Sequence, residues 1–211
     1  MQTFDNFVVI LFIISLVYIA KAEMIKSYIG LLTFQGLLLF GLAYSELNEI
    51  DTLQFIFILV ETLIVKAVFV PYFMTRIVKV KNHRNNSGPI KGYYSVFVAS
   101  VIIVGSFIAA HVMHNEHLQV KYFTAAISSL LIGLFIAINH KDILTHLVSY
   151  LIIENGIFLL SLALGSEMPM FVNAAILLDI FSSILIMGMF FNKLKDYFQN
   201  TDIGQLSKLK D

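Results

Sequence analysis

The feature that most constrains this chain is a succession of apolar runs, most about 20 residues long, separated by short polar stretches. A helix rises about 1.5 Å per residue, so a run of about 20 residues crosses about 30 Å of hydrocarbon. Seven such runs are readable: 4–20, 26–44, 53–75, 92–113, 121–139, 143–164 and 170–192. The apolar/polar alternation of a membrane β-barrel is absent, and a bilayer core offers no water to unsatisfied backbone groups, which leaves helices. The expected class is therefore all-α, a polytopic integral membrane protein with about seven transmembrane helices. With 58% hydrophobic and 13% charged residues, the chain cannot surround itself with a water-facing surface, which excludes a soluble enzyme.

Charge and cysteine content exclude further classes. Fourteen basic and fourteen acidic residues cancel, so nothing points to nucleic acid. The absence of cysteine excludes disulfides, thiolate zinc sites, cysteine-held Fe–S clusters and a cysteine-held nickel centre. No cofactor and no metal are expected on this chain. Lys21 is the first basic residue and follows the first apolar run, so that run lacks the positive flank of a signal peptide and is expected to stay as an anchor.

Orientation follows from where Lys and Arg fall. Twelve of them lie on one side: Lys21, Lys26, Arg76, Lys79, Lys81, Arg84, Lys91, Lys141, Lys193, Lys195, Lys208 and Lys210. The other side carries Lys121 and is otherwise acidic, with Glu46, Glu49, Asp51, Glu116 and Glu167. By the positive-inside rule the N-terminus is outside and the C-terminus cytoplasmic. The same count supports the helix at 92–113, because without it the two Lys-rich segments would fall on opposite sides.

The chain also reads as a duplication. Residues 21–44, KAEMIKSYIGLLTFQGLLLFGLAY, align without a gap on 141–164, KDILTHLVSYLIIENGIFLLSLAL. Lys21 meets Lys141, and Gln35-Gly36 meets Asn155-Gly156. With a shorter loop, VETLIVKAVF at 60–69 meets LDIFSSILIM at 178–187, placing Glu61 on Asp179. The expected organisation is a first three-helix repeat (1–76), a cytoplasmic basic loop (77–91), a linking transmembrane helix (92–113), a second three-helix repeat (121–192) and a cytoplasmic tail (193–211). An odd repeat needs one extra crossing for both copies to face the same way, so the repeats are expected to be parallel.

Ionisable residues inside the apolar runs mark the candidate site. Glu61, Lys66, Glu154 and Asp179 each sit near the middle of a run, where insertion scales assign roughly 2.5–3.5 kcal/mol to a lone Asp, Lys or Arg. They are expected to face each other, a partner subunit or water. On an α-helix Glu61 and Lys66 are about 140° apart, so each should serve a different neighbour. Pro71 follows in the same run and removes the donor to the Ala67 carbonyl, which predicts a kink. Carboxylates and an ammonium so placed suit a proton relay; the competing reading is an ion pair that fixes helix packing. Glu154, Asn155 and Asp179 form a second cluster, and neutral Gln35, at the position equivalent to Asn155, is expected to act as interhelical glue. His111, His114 and His117 recur at every third residue and read as interfacial, with a metal site as the alternative. His140 and His146, with Lys141 and Asp142, mark the cytoplasmic rim, as a proton uptake point or a plain interface.

The stretch KDILTHLVSYLIIENGIFLLSLAL, then ILLDIFSSILIMGMF and the ending TDIGQLSKLK, resembles the membrane component E of hydrogenase 4. IVKAVFVPYFM adds the lysine and later proline that this family carries within one helix. The family is in turn similar to the small K subunit of respiratory complex I and the C subunit of multisubunit cation/proton antiporters. The resemblance implies a subunit of a group 4 NiFe-hydrogenase or formate hydrogenlyase in a bacterial or archaeal cytoplasmic membrane. Its partners would be antiporter-like and complex I-like membrane subunits and the hydrogenase catalytic and Fe–S subunits. The complex I subunit carries a glutamate in each of its last two helices. Asp179 matches the second; the first falls near Leu151, with Glu154 one turn further on. The function so implied is a contribution to a proton-translocation path and to membrane-arm assembly, without a catalytic centre on this chain. A structural spacer and an antiporter subunit are the alternatives.

Overall fold

The computed structural model describes residues 2–46, 60–72, 74–75, 92–113 and 119–163, with residues 56 and 188 singly. All regular structure among them is helical. Helix α1 spans Gln2–Lys21, α2 Ile25–Glu46, a π-helix (π1) Glu61–Phe69, α3 Gly92–Val112, α4 Val120–Asn139 and α5 Ile143–Ala163. The five α-helices are each long and apolar enough to cross a membrane. Apart from residue 188, the expected helix at 170–192, the loop 77–91 and the tail 193–211 lie outside the described residues.

The packing is that of a multi-pass membrane protein. Phe4, Phe7, Ile10, Ile14 and Tyr18 form an exposed apolar stripe on α1, and Phe97, Val101, Val104 and Ile108 do so on α3. Meanwhile Asp5, Ser15, Gln35, Lys66, Glu154 and Asn155 are buried. Water would drive the opposite partition; a hydrocarbon solvent permits this one. Helix α3, the proposed linker, buries only a seam of small residues, Ser95, Ala99, Ser106 and Ala110.

Helix α1 is central, packing on α2, α3 and α4, while α2 packs on π1 and α5. Three residues join α1 to α2, and three join α4 to α5, which makes each pair an antiparallel hairpin. The α4–α5 hairpin is the tightest. A Cβ on Gly133 would lie 2.7 Å from Ile153 Cγ1, and one on Gly156 would lie 3.0 Å from the Ala126 carbonyl oxygen. Small residues at these two crossings let the backbones approach, as is common between membrane helices. Ser129 Oγ donates across the seam to the Ile152 carbonyl at 2.7 Å. At the other end of the hairpin, the Gln119 N–H donates to the Ala163 carbonyl at 2.9 Å, satisfying one orphan acceptor at the end of α5.

The segment at 60–75 differs from the simple α-helix with a proline kink that the sequence predicts. It winds as a π-helix up to Phe69, and Pro71 follows in the next helical residues. Bonds of the i→i+5 type change the register: positions 61 and 66 are one bonded step apart along the backbone, in place of the 140° separation of an α-helix. In this pattern residue 71 would donate to the carbonyl of Lys66, and proline carries no N–H to do so.

Candidate functional site within the helix bundle

Three elements meet near the middle of the bundle: π1, α2 and α5. Gly36 of α2 makes the approach of π1 feasible, because a Cβ there would lie 3.0 Å from the Ala67 backbone nitrogen. That closeness brings Lys66 of π1 against α5. Lys66 Nζ lies 2.7 Å from Glu154 Oε1, and both side chains are almost wholly buried (6% and 5% exposed). One turn along α5, the Phe158 ring centroid lies 5.2 Å from the same ammonium, an added cation–π contact. Each charge would be costly alone in hydrocarbon; together they neutralise one another.

Asn155, next to Glu154, starts a second set of contacts. Its Nδ2 donates to Gln35 Oε1 at 3.1 Å, and Gln35 Nε2 donates to Ser15 Oγ at 2.9 Å. Ser15 Oγ in turn donates to the Phe12 carbonyl at 2.6 Å. These buried bonds tie α5 to α2 and α2 to α1. A small cavity of about 10 Å³ lies beside the ion pair, lined by Leu32, Lys66, Val70, Leu151, Glu154 and Asn155.

Four of the residues expected from sequence are thus brought together: Lys66, Glu154, Gln35 and Asn155. Lys66 pairs with Glu154 on another helix, although 61–69 is not the α-helix on which the expected separation from Glu61 rested. Glu61 opens π1. Pro71 is buried beyond its end. Asp179 lies outside the described residues.

No family model matches the chain. A curated relative, Uncharacterized protein Rv0085 of Mycobacterium tuberculosis (strain ATCC 25618 / H37Rv), is 19% identical over 191 residues. The aligned region covers 89% of this chain and 87% of that protein, so the similarity runs through nearly the whole bundle. No solved structure matches.

The structure adds residues that sequence reasoning missed. Ser15 terminates the amide chain on α1. Asp5 is buried near the N-terminus of α1, with Oδ2 4.0 Å from Lys121 Nζ, and that ammonium also lies 4.4 Å from the Tyr122 ring centroid. The signal for Asp5 was present, since an acidic residue at the head of an apolar run calls for a basic partner at a similar depth. Among the described histidines, Nδ1 of His111 lies 3.3 Å from the Phe107 carbonyl and that of His140 lies 3.1 Å from the Ile136 carbonyl. His146 makes the same type of contact with the Asp142 carbonyl at 2.8 Å. His114 and His117 lie outside the described residues. No group of three or more metal-ligating side chains occurs among the described residues.

Proposed function

We propose that this chain is a membrane subunit of a group 4 NiFe-hydrogenase or formate hydrogenlyase, contributing to a proton path and to assembly of the membrane arm. The observation that carries the reading is the buried Lys66–Glu154 pair at 2.7 Å within apolar helices. Ionisable side chains in an apolar helix bundle are costly to keep and mark a candidate functional site. The family resemblance in the stretches around Lys66, Glu154 and Asp179 supplies the kind of complex. Nickel, iron and electron transfer belong to partner subunits, among them antiporter-like and complex I-like membrane subunits.

The parallel duplication is part of this reading. Gln35 and Asn155, equivalent in the alignment, hydrogen-bond directly to each other. Equivalent residues meet in this way when they straddle a two-fold axis. Such an axis, near the membrane normal, would relate 26–75 to 146–192 and place Glu61 over Asp179. Seven spans with the N-terminus outside complete the picture.

A second reading, a structural spacer, is favoured by one observation: the same cluster ties α1, α2, π1 and α5 together through side-chain bonds. Purification of the native protein under mild detergent tests the choice of complex. Nickel and iron should co-purify in fixed ratio with the chain. Recovery with antiporter-like subunits and neither metal would exclude the hydrogenase.

A further inference from the structure

The hydrogen bonds that leave Asn155 have a fixed direction. Ser15 Oγ gives its proton to the Phe12 carbonyl at 2.6 Å, so toward Gln35 the hydroxyl can only accept. Gln35 must therefore present its NH2 group to Ser15, at 2.9 Å, and its carbonyl oxygen to Asn155. Asn155 must then present its own NH2 group to Gln35, at 3.1 Å. One hydroxyl on α1 thus decides the orientation of two amides on α2 and α5. Without it, the two amides could turn over together at little cost, since O and N are nearly the same size.

The amide of Asn155 has two ends, and its donor end is committed to Gln35. Its acceptor end, Oδ1, belongs to a residue that lines the cavity beside Lys66 and Glu154. At about 10 Å³ the cavity has the size of about one water centre, and a buried water needs two to four polar partners. The lining provides an ammonium that donates, a carboxylate that accepts only, and the amide oxygen, among three apolar side chains. A metal cation would meet the Lys66 ammonium at the same point. A neutral molecule that both donates and accepts would not.

We propose that the cavity is a binding site for a single water molecule, held by Lys66 Nζ, Glu154 and Asn155 Oδ1, and that Ser15 and Gln35 are positioning residues that turn Oδ1 toward it. The water bridges the ion pair to the end of the amide chain. The chain itself conducts no protons, since its amides cannot pass one on and it ends on a backbone carbonyl. Any proton reaching the pair is thereby kept from α1. The site goes beyond the functional reading and stands without it, because a spacer subunit with this geometry would hold the same water.

Solid-state NMR on the full chain in proteoliposomes, with isotope-labelled lysine and asparagine, tests the site. The probe is water itself, through magnetisation transfer from water protons to Lys66 Nζ and Asn155 Cγ. Each signal is assigned by its loss in Lys66→Met and Asn155→Leu. The expected result is transfer to both nuclei in the native protein. At Asn155 it should fall by half or more in Ser15→Ala and in Gln35→Met, and persist in Ser15→Thr, which keeps the hydroxyl. Absence of transfer to either nucleus in the native protein overturns the water site. Undiminished transfer in folded Ser15→Ala and Gln35→Met overturns the positioning role, as does failure of both variants to fold, which would make the chain a packing element. Loss of proton pumping in some other variant, with the water signals intact, bears on the functional reading alone.

Discussion

Lys66 and Glu154 place opposite charges inside a bundle whose outer surface is apolar, so the two residues depend on each other. Removing one partner of a buried pair costs about 3–5 kcal/mol, whereas replacing both with well-packed apolar groups is often neutral. Glu154→Leu should therefore lower the unfolding stability in detergent by about 3–5 kcal/mol, and Lys66→Met combined with Glu154→Leu should recover most of that loss. Glu154→Gln should cost less than Glu154→Leu, because the glutamine oxygen still accepts from the ammonium. A double variant no more stable than Glu154→Leu alone would show that the pair is not the coupling. These residues were legible in the sequence because a charge or an amide in an apolar run has few places to go. Ser15 was not. Serine in a helix commonly satisfies itself on the preceding turn, as Ser100, Ser106 and Ser149 do here, so nothing distinguished the one hydroxyl that also receives Gln35.

At the scale of elements, glycine decides how close two helices come. Gly133 and Gly156 sit where any side chain would press on the opposite helix, and Gly36 where it would press on the π1 backbone. Gly30 and Gly105 face open space, with nothing within 4 Å of an added Cβ. Gly133→Ala, Gly156→Ala and Gly36→Ala should each destabilise by about 1–3 kcal/mol through overpacking. Gly30→Ala and Gly105→Ala should stay within about 1 kcal/mol of the native protein, or gain slightly from helix propensity. Thermal unfolding of the five variants in one detergent separates the two groups; equal behaviour would refute the close approach. The positions of the five described α-helices were readable to within a few residues, since length and apolarity alone set them. The winding of 61–69 was not, because an i→i+5 register leaves no mark in a run that is apolar on nearly every face. Pro71 gave the only warning, and it announced an irregularity without its kind.

At the scale of the whole molecule, the proposed reading has seven crossings, a parallel duplication and a basic cytoplasmic side. Reporter fusions after residues 48, 85, 118 and 205 should read outside, inside, outside and inside, because the Lys and Arg residues gather on alternate loops. A six-crossing pattern would remove both the orientation and the parallel repeat. The central claim is that the intramembrane charges handle protons as well as hold helices together. Proton pumping per hydrogen turned over, measured in vesicles carrying the assembled complex, tests it most directly. Glu154→Gln keeps the hydrogen-bonding shape and removes the exchangeable proton; Asp179→Asn does the same at the other carboxylate of the second repeat, and Lys66→Met removes the cation. The account predicts that these complexes still turn over hydrogen with an artificial electron carrier, because that chemistry sits on other subunits, while pumping per hydrogen falls. Normal pumping per hydrogen in all three well-assembled variants would contradict it and leave a spacer.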